Sequence, residues 1–373
     1  MSKGSWPSVP FLEAVSDESR GHLKIKKADY RNVGALAVVD QGKGLIGGFT
    51  DDEAAASHVQ RPVIIFGDHT RAVKYVDFPF AVGADGVKVL KPLPGVNTRY
   101  LYHYMRTLKI IDGGYSRHFK YLKEAQVPLP PIEEQRRIAA VLDAADELRD
   151  KRREALAKLA TLTQAIFIDM FGAPGDNPRR WPVQPLIELV DPERPITYGI
   201  LKPGQDVPDG VPYVRVVDMA GGRVLEGALR RTTPEIAHQY RRSTLAEGDL
   251  LLSIRGHVGR MAQVHGELTG ANITQDTARL AIVGARPEYV FACMQAEESR
   301  RWMANFTKGA AVRGINLTDV KKFPVPVPPA DLQGEFGKRA ALVTAYVERC
   351  AAPLTQLDAL FASLQQRAFR GEL

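Results

Sequence analysis

The chain of 373 residues is 45% hydrophobic and 25% charged, with 32 glycines, 25 prolines, two cysteines and a formal net charge of +7. This balance excludes collagen-like, disordered, mucin-like and disulfide-scaffold proteins, and the length suits two or three domains, each able to bury its own core. No run of about 18 apolar residues occurs and Met1 to Pro10 carries no apolar leader segment, so a cytoplasmic protein with no membrane span is expected.

In chain order the first feature is a segment, Trp6-Pro7-Ser8-Val9-Pro10-Phe11-Leu12-Glu13-Ala14-Val15, that returns 175 positions later as Trp181-Pro182-Val183-Gln184-Pro185-Leu186-Ile187-Glu188-Leu189-Val190. A second repeat pairs Val127-Pro128-Leu129-Pro130-Pro131 with Val325-Pro326-Val327-Pro328-Pro329 at an offset of 198, and carries with it Gln135 with Gln333 and Phe171 with Phe369. The chain therefore reads as a tandem duplication with 23 additional residues in the second copy. Each copy is a globular block followed by a helix.

Within the first block, Val63-Ile64-Ile65-Phe66 is an apolar strand running into the polar turn Gly67-Asp68-His69-Thr70. After the proline-rich stop at 128–131, which should continue neither a strand nor an earlier helix, residues 132–170 contain no proline or glycine. Their apolar groups, among them Ile138, Val141, Leu142, Ala145, Leu148, Leu162, Ile166 and Met170, recur at spacings of three and four, which predicts one long amphipathic helix. Glu147 with Lys151 and Glu154 with Lys158 support it as i,i+4 pairs.

The second block offers a matching strand, Asp249 to Ile254, ending in Arg255-Gly256, and helical stretches between Pro287 and Lys308. Residues 331–369 repeat the long stripe with Leu342, Val343, Val347, Leu354, Leu357, Phe361 and Leu364. Two stripes of this length bury each other best as an antiparallel helix pair. Pro353 interrupts the second, so a kink or break is expected near Cys350 to Pro353. The fold class is α+β.

Charge is not spread evenly. Residues 1–131 carry an excess of five positive charges and residues 171–329 an excess of three, while 132–170 and 330–373 are close to neutral. A basic surplus confined to the repeated blocks points to an anionic partner met twice.

Catalytic and cofactor motifs are absent or incomplete. Gly42-Lys43-Gly44-Leu45-Ile46-Gly47 fits a dinucleotide-binding pattern, but no helix can start at the phosphate position, so it reads as a glycine-rich turn. Asp68-His69 lacks a nucleophile or second carboxylate at readable spacing. Asp191-Pro192-Glu193 is not the Asn/Asp-Pro-Pro-aromatic turn with which adenine methyltransferases grip their target, and Asp319-Val320-Lys321 lacks a nearby nuclease partner. Cys293 and Cys350 have no CxxC or histidine-rich companion, which leaves reduced thiols and no metal site.

The segment Val127-Pro128-Leu129-Pro130-Pro131-Ile132-Glu133-Glu134-Gln135-Arg136-Arg137-Ile138, with the helix ending Asp169-Met170-Phe171-Gly172, resembles the central region of type I restriction-modification specificity subunits. Gly309 to Leu317, the following Pro326-Val327-Pro328-Pro329 and the terminal Ala368 to Leu373 are similar to that family's second repeat, and the resemblance covers nearly the whole chain. It implies two target-recognition domains, 1–127 and 173–325, alternating with spacer helices at 128–172 and 326–373 that pair as an antiparallel coiled coil. It also implies a non-catalytic subunit, each domain reading one half of a bipartite double-stranded DNA target. Two DNA methyltransferase subunits and restriction/translocase subunits would be the partners; S-adenosylmethionine, ATP and Mg would sit on those partners and no cofactor on this chain. The alternatives are a specificity subunit whose methylation and cleavage partner is one fused polypeptide, and a non-catalytic interaction scaffold.

Loops that follow strands are the expected readers. In the first domain these are His69, Arg71, Lys74, Tyr115, Arg117 and His118, and in the second Arg215, Arg255, His257, Arg260, Gln275 and Arg313. Exposed helix faces around Gln135, Arg137, Arg149 and Arg153 are candidates for partner binding.

Overall fold

The computed structural model describes residues 6–110, 117–309 and 313–373. It forms two compact units, Met1–Glu154 with Ala352–Leu373, and Ala155–Ala351, so that both divisions fall inside the long helices.

In the first unit, Val15–Asp17, Val87–Pro92, Val63–Gly67 and Val73–Val76 make an antiparallel sheet in that spatial order. A second sheet orders Lys24–Ile25, Phe80–Gly83, Leu36–Val39 and Gly48–Thr50, its first two pairings parallel and its last antiparallel. Every residue of Val63–Gly67 is buried because the strand is covered on both faces. Ile64 and Phe66 pack with helices α1 (Phe11–Ala14), α2 (Thr98–Thr107) and α3 (Phe119–Lys123), whereas Val63 and Ile65 pack with Phe80 and Val82 of the second sheet. The period of two is there, hidden by an apolar neighbour on either side. The glycine-rich segment 42–47 is the turn joining Leu36–Val39 to Gly48–Thr50, with Asp40 accepting from the Gly42 amide at 2.8 Å.

The second unit repeats the plan. Thr197–Tyr198, Thr277–Leu280, Leu250–Ser253 and Met261–Gln263 form an antiparallel sheet, and Arg230–Thr232, Val211–Val214 and Asn272–Ile273 a smaller mixed one. Leu250 and Leu252 face the helical core, which includes α6 (Pro287–Gln295) and α7 (Glu297–Asn305), and Leu251 faces Val214 and Ile273. Two shorter helices are α5 (Pro234–Gln239) and α8 (Leu317–Lys321).

The duplicated segments pair with one another in each unit. Ser8–Pro10 runs antiparallel to Gln126–Pro128, and Val183–Pro185 to Pro324–Pro326. The strand Gln126–Pro128 ends at its proline and the next helix begins at Ile132, so the stretch 128–131 continues neither a strand nor a helix, as the sequence reading expects. Both pairings are isolated two-stranded ribbons with prolines at strand ends, where a missing N–H removes little of the ladder. Tyr100 donates its hydroxyl to the Pro128 carbonyl at 2.7 Å, and Tyr289 does the same to Pro326 at 2.6 Å.

Helices α4 (Ile132–Phe171) and α9 (Ala330–Phe369) each have 40 residues, or roughly 60 Å at 1.5 Å per residue. In the first unit, Ile138, Ala139 and Leu142 of α4 pack against Phe361 and Ala368 of α9 and against Tyr100. In the second, Phe167 and Phe171 meet Phe336 and Tyr289 with ring centroids 4.9–5.8 Å apart. Within each unit the start of one helix lies against the end of the other, which is antiparallel packing. The break expected at Cys350 to Pro353 is absent: α9 is helical throughout. Three members of the apolar stripes, Leu148, Leu162 and Leu342, are 54%, 40% and 72% exposed. Glu147 and Lys151 form their ion pair at 2.6 Å.

Candidate nucleic-acid interface

In the first unit the strand Val63–Gly67 turns through Asp68 to Ala72 and returns as Val73–Val76. Gly67 N donates to the Ala72 carbonyl and Arg71 N to the Gly67 carbonyl, both at 2.8 Å, which closes the turn, and Arg71 takes a φ of 61°. Buried Asp68 ties it to the segment before α3. Its carboxylate accepts from Phe119 N at 2.7 Å, and its carbonyl accepts from His118 N at 2.8 Å and from the His118 Nδ1–H at 2.9 Å. Arg71 donates to the Ile110 carbonyl at 3.3 Å, and Gln41 holds the other flank by accepting from His69 N at 3.3 Å.

The turn therefore sorts the expected readers. Lys74 is 4% exposed and lies 3.4 Å from Asp40; burial pulls its ammonium below the ordinary lysine range, against the pull of Asp40. His118 is 1% exposed, with its Nδ1 on the Asp68 carbonyl and, among the described residues, no hydrogen-bond partner at its Nε2. Both lie inside the turn, where Lys74 meets Asp40 and His118 the Asp68 carbonyl, because a buried polar group is stabilised by a partner of its own. His69 and Arg71 are half-buried at its rim, Arg117 is exposed, and Tyr115 lies outside the described residues.

The second unit builds the same junction from different residues. Ser253 N donates to the Arg260 carbonyl at 2.8 Å, and Gly259 N to the Ser253 carbonyl at 3.0 Å, closing the turn between Leu250–Ser253 and Met261–Gln263. The loop after α7 docks on it: Gly256 N donates to the Arg313 carbonyl at 2.9 Å, Ile315 N to the Ile254 carbonyl at 2.9 Å, and Arg255 bridges Gly314. On one side of this bridge is a cleft of about 970 Å³ lined by Arg255, Gln275, Tyr198, Lys308, Asn316 and Asp276. On the other, His257, Arg300 and Arg313 line a cleft of about 530 Å³.

Four expected residues, Arg255, His257, Gln275 and Arg313, are thus brought together around one bridge. The other two are not. Arg215 is held by Asp218 through hydrogen bonds of 2.7 and 2.9 Å, and Arg260 donates to the Val216 and Met219 carbonyls at 3.0 and 3.2 Å. Together they fix the 215–219 segment. Tyr198, Lys308 and Arg300 were missed by the sequence reading, since nothing local distinguishes them; only the docking of the 308–316 loop places them.

Of the helix residues, Gln135 is 1% exposed, which corrects its reading as part of an exposed face. Its amide accepts from Asn97 N at 2.8 Å and donates to the Gly95 and Pro130 carbonyls at 3.0 and 2.8 Å. Gln333 repeats this with Arg286 N and the Pro328 carbonyl. Arg137 pairs with Glu134, while Arg149 and Arg153 both donate to Asp358 of α9 at 2.7 Å. Among the described residues no group of three or more His, Cys, Asp or Glu side chains is gathered as a metal site, and no helix is long and apolar enough to cross a membrane.

Fold and site together define a duplicated α+β protein that presents one strand-turn and loop junction per unit. Residues 17–158 match the model of the type I restriction modification DNA specificity domain. The chain is 28% identical over 318 residues to the type I restriction enzyme EcoBI specificity subunit of Escherichia coli, covering 74% of this chain and 66% of that protein. To the EcoKI specificity subunit of Escherichia coli strain K12 it is 24% identical over 275 residues, 66% of this chain and 57% of that protein. Over most of its length the chain is similar to type I restriction-modification specificity subunits. Its fold is similar to the crystal structure of the type I restriction-modification S subunit from M. genitalium, with a TM-score of 0.56 at 17% identity over 99% of this chain and 97% of that one. A chain solved in work on the assembly and conformational transition of the type I system gives 0.53 at 18% identity, over 99% and 98%. The matches span 38 to 66% of the length of the curated relatives.

Proposed function

We propose that the chain reads a bipartite target in double-stranded DNA for a type I methylation and restriction complex, one half through each unit, and is itself non-catalytic. The observation that carries this reading is the repeated junction: in both units the turn after the central strand hydrogen-bonds to the loop before the short helix, and exposed cations border it. Exposed guanidinium groups and the half-buried Gln275 carboxamide on short turns are the chemistry that reads guanine and adenine edges, while the basic surplus of both blocks supplies phosphate attraction. The proposed domains are 1–127 and 173–325, with the helices at 128–172 and 326–373 setting the gap between half-sites.

Methyltransferase subunits would dock on the helices, for which exposed Leu148, Leu162 and Leu342 offer apolar surface. S-adenosylmethionine, ATP and Mg would belong to the methyltransferase and restriction/translocase partners. The test is co-expression with a cognate type I methyltransferase subunit and mapping of methylated adenines by single-molecule sequencing. A bipartite motif that changes in one half when residues 173–325 are exchanged supports the reading. A stable complex that yields no motif refutes it.

A further inference from the structure

The second unit carries an arginine cluster away from the reading loops. A cleft of about 610 Å³ is lined by Arg194, Arg241, Arg242 and Arg279, with Glu193 on its wall. Arg194 is neutralised by Asp249, at 3.0 and 2.6 Å. Arg279 differs: it is 2% exposed, donates Nη2 to the Pro195 carbonyl at 3.0 Å, and has no hydrogen-bond partner at Nε. Among the described residues no carboxylate forms an ion pair with it, and burial together with the Arg194 charge disfavours its charged form, with Asp249 and Asp191 opposing. Arg241 and Arg242 are exposed, and among the described residues no ion pair or side-chain hydrogen bond occupies either.

We propose that this cleft is a phosphate site. Three guanidinium groups not neutralised by a contacting carboxylate face one cavity against the single carboxylate of Glu193. A buried cation held without a counter-ion is stabilised by an anion, and a tetrahedral phosphoryl group accepts donors from several directions at once, as converging guanidinium forks supply them. Position favours a DNA backbone as the source. The cleft lies at the Asp249 end of the strand Leu250–Ser253 and the reading bridge at its Ile254 end. At about 3.3 Å per residue the two are roughly 17 Å apart, about half a helical turn of duplex. A backbone phosphate of the same duplex is then in reach, and it would add affinity without adding sequence information.

The DNA source rests on the function proposed above; the phosphate chemistry does not. The experiment uses the full chain and two variants, the exposed pair Arg241→Gln/Arg242→Gln and the conservative Arg279→Lys, each checked for native circular dichroism. Binding to a mixed-sequence duplex is measured across salt, and thermal stability with inorganic phosphate against chloride at equal ionic strength. A log-log salt slope shallower by about 0.9 in the double variant, with base preference unchanged, supports a backbone phosphate. An unchanged slope with phosphate stabilising the wild type, but neither variant, supports the site with free phosphate as its source. An unchanged slope and no phosphate-specific stabilisation overturn it. Wild type that binds no duplex at all would count against the DNA reading, and the phosphate arm would still decide the site.

Discussion

Replacing Gln135 by leucine tests the idea that buried glutamines fasten each block to its long helix. The side chain is 1% exposed and makes three hydrogen bonds, one accepted from Asn97 N and two donated to the Gly95 and Pro130 carbonyls. Leucine keeps the volume and removes all three. At a net of about 1 kcal/mol per neutral bond, the loss should be about 3 kcal/mol in the first unit. For a unit of this size that is a melting shift of about 6–12 °C. Gln333→Leu removes only the bonds to Arg286 N and the Pro328 carbonyl, so about 2 kcal/mol is expected in the second unit. Differential scanning calorimetry and urea unfolding followed by tryptophan emission read the two units separately, with Trp6 in the first and Trp181 and Trp302 in the second. A change below about 0.5 kcal/mol in the Gln135 variant, or a larger loss for Gln333 than for Gln135, would refute the reasoning.

Three further outcomes follow from the structure. His103 is fully buried with Nε2 2.7 Å from Asp143; burial holds its imidazole below the ordinary histidine value despite that carboxylate. Stability from a depressed histidine is complete above the unfolded value of about 6.5 and falls as pH drops through the folded one, so His103→Gln should flatten the acid limb of the pH–stability profile. The partly buried His22, depressed first by burial and then by His58, acts in the same window and is the control to subtract. A Cβ at Gly199 would stand 1.9 Å from the Ile273 carbonyl oxygen, so Gly199→Ala should cost the second unit about 1–3 kcal/mol in chemical denaturation, while Gly227→Ala, with nothing within 4 Å, should stay within about 0.5 kcal/mol. Arg255→Ala should relax one half of the methylated motif by about 1–3 kcal/mol if its guanidinium reads a base, whereas equal weakening on every sequence would identify a phosphate contact.

The duplication, the two long helices, the glycine-rich turn and the buried strands at Val63 and Leu250 were legible in the order of amino acids, because each is written in local period or in self-similarity. Gln135 and Gln333 were visible as a repeated pair, yet nothing local said that both are buried. Lys74 and His118 read as ligands because a lysine and a histidine beside a turn look alike whether they face water or the turn itself; Asp40 and the Asp68 carbonyl, 34 and 50 residues away, decide which. Pro353 signalled a break that its helix, continuous from Ala330 to Phe369, does not contain. The docking of the loop after α7 on the Ile254 turn, which gathers Arg255, Gln275 and Arg313 around one bridge, emerges only in the folded chain. These are hydrogen bonds between segments distant in sequence, and neither propensity nor spacing encodes which of many compatible partners a chain will meet once its core has closed.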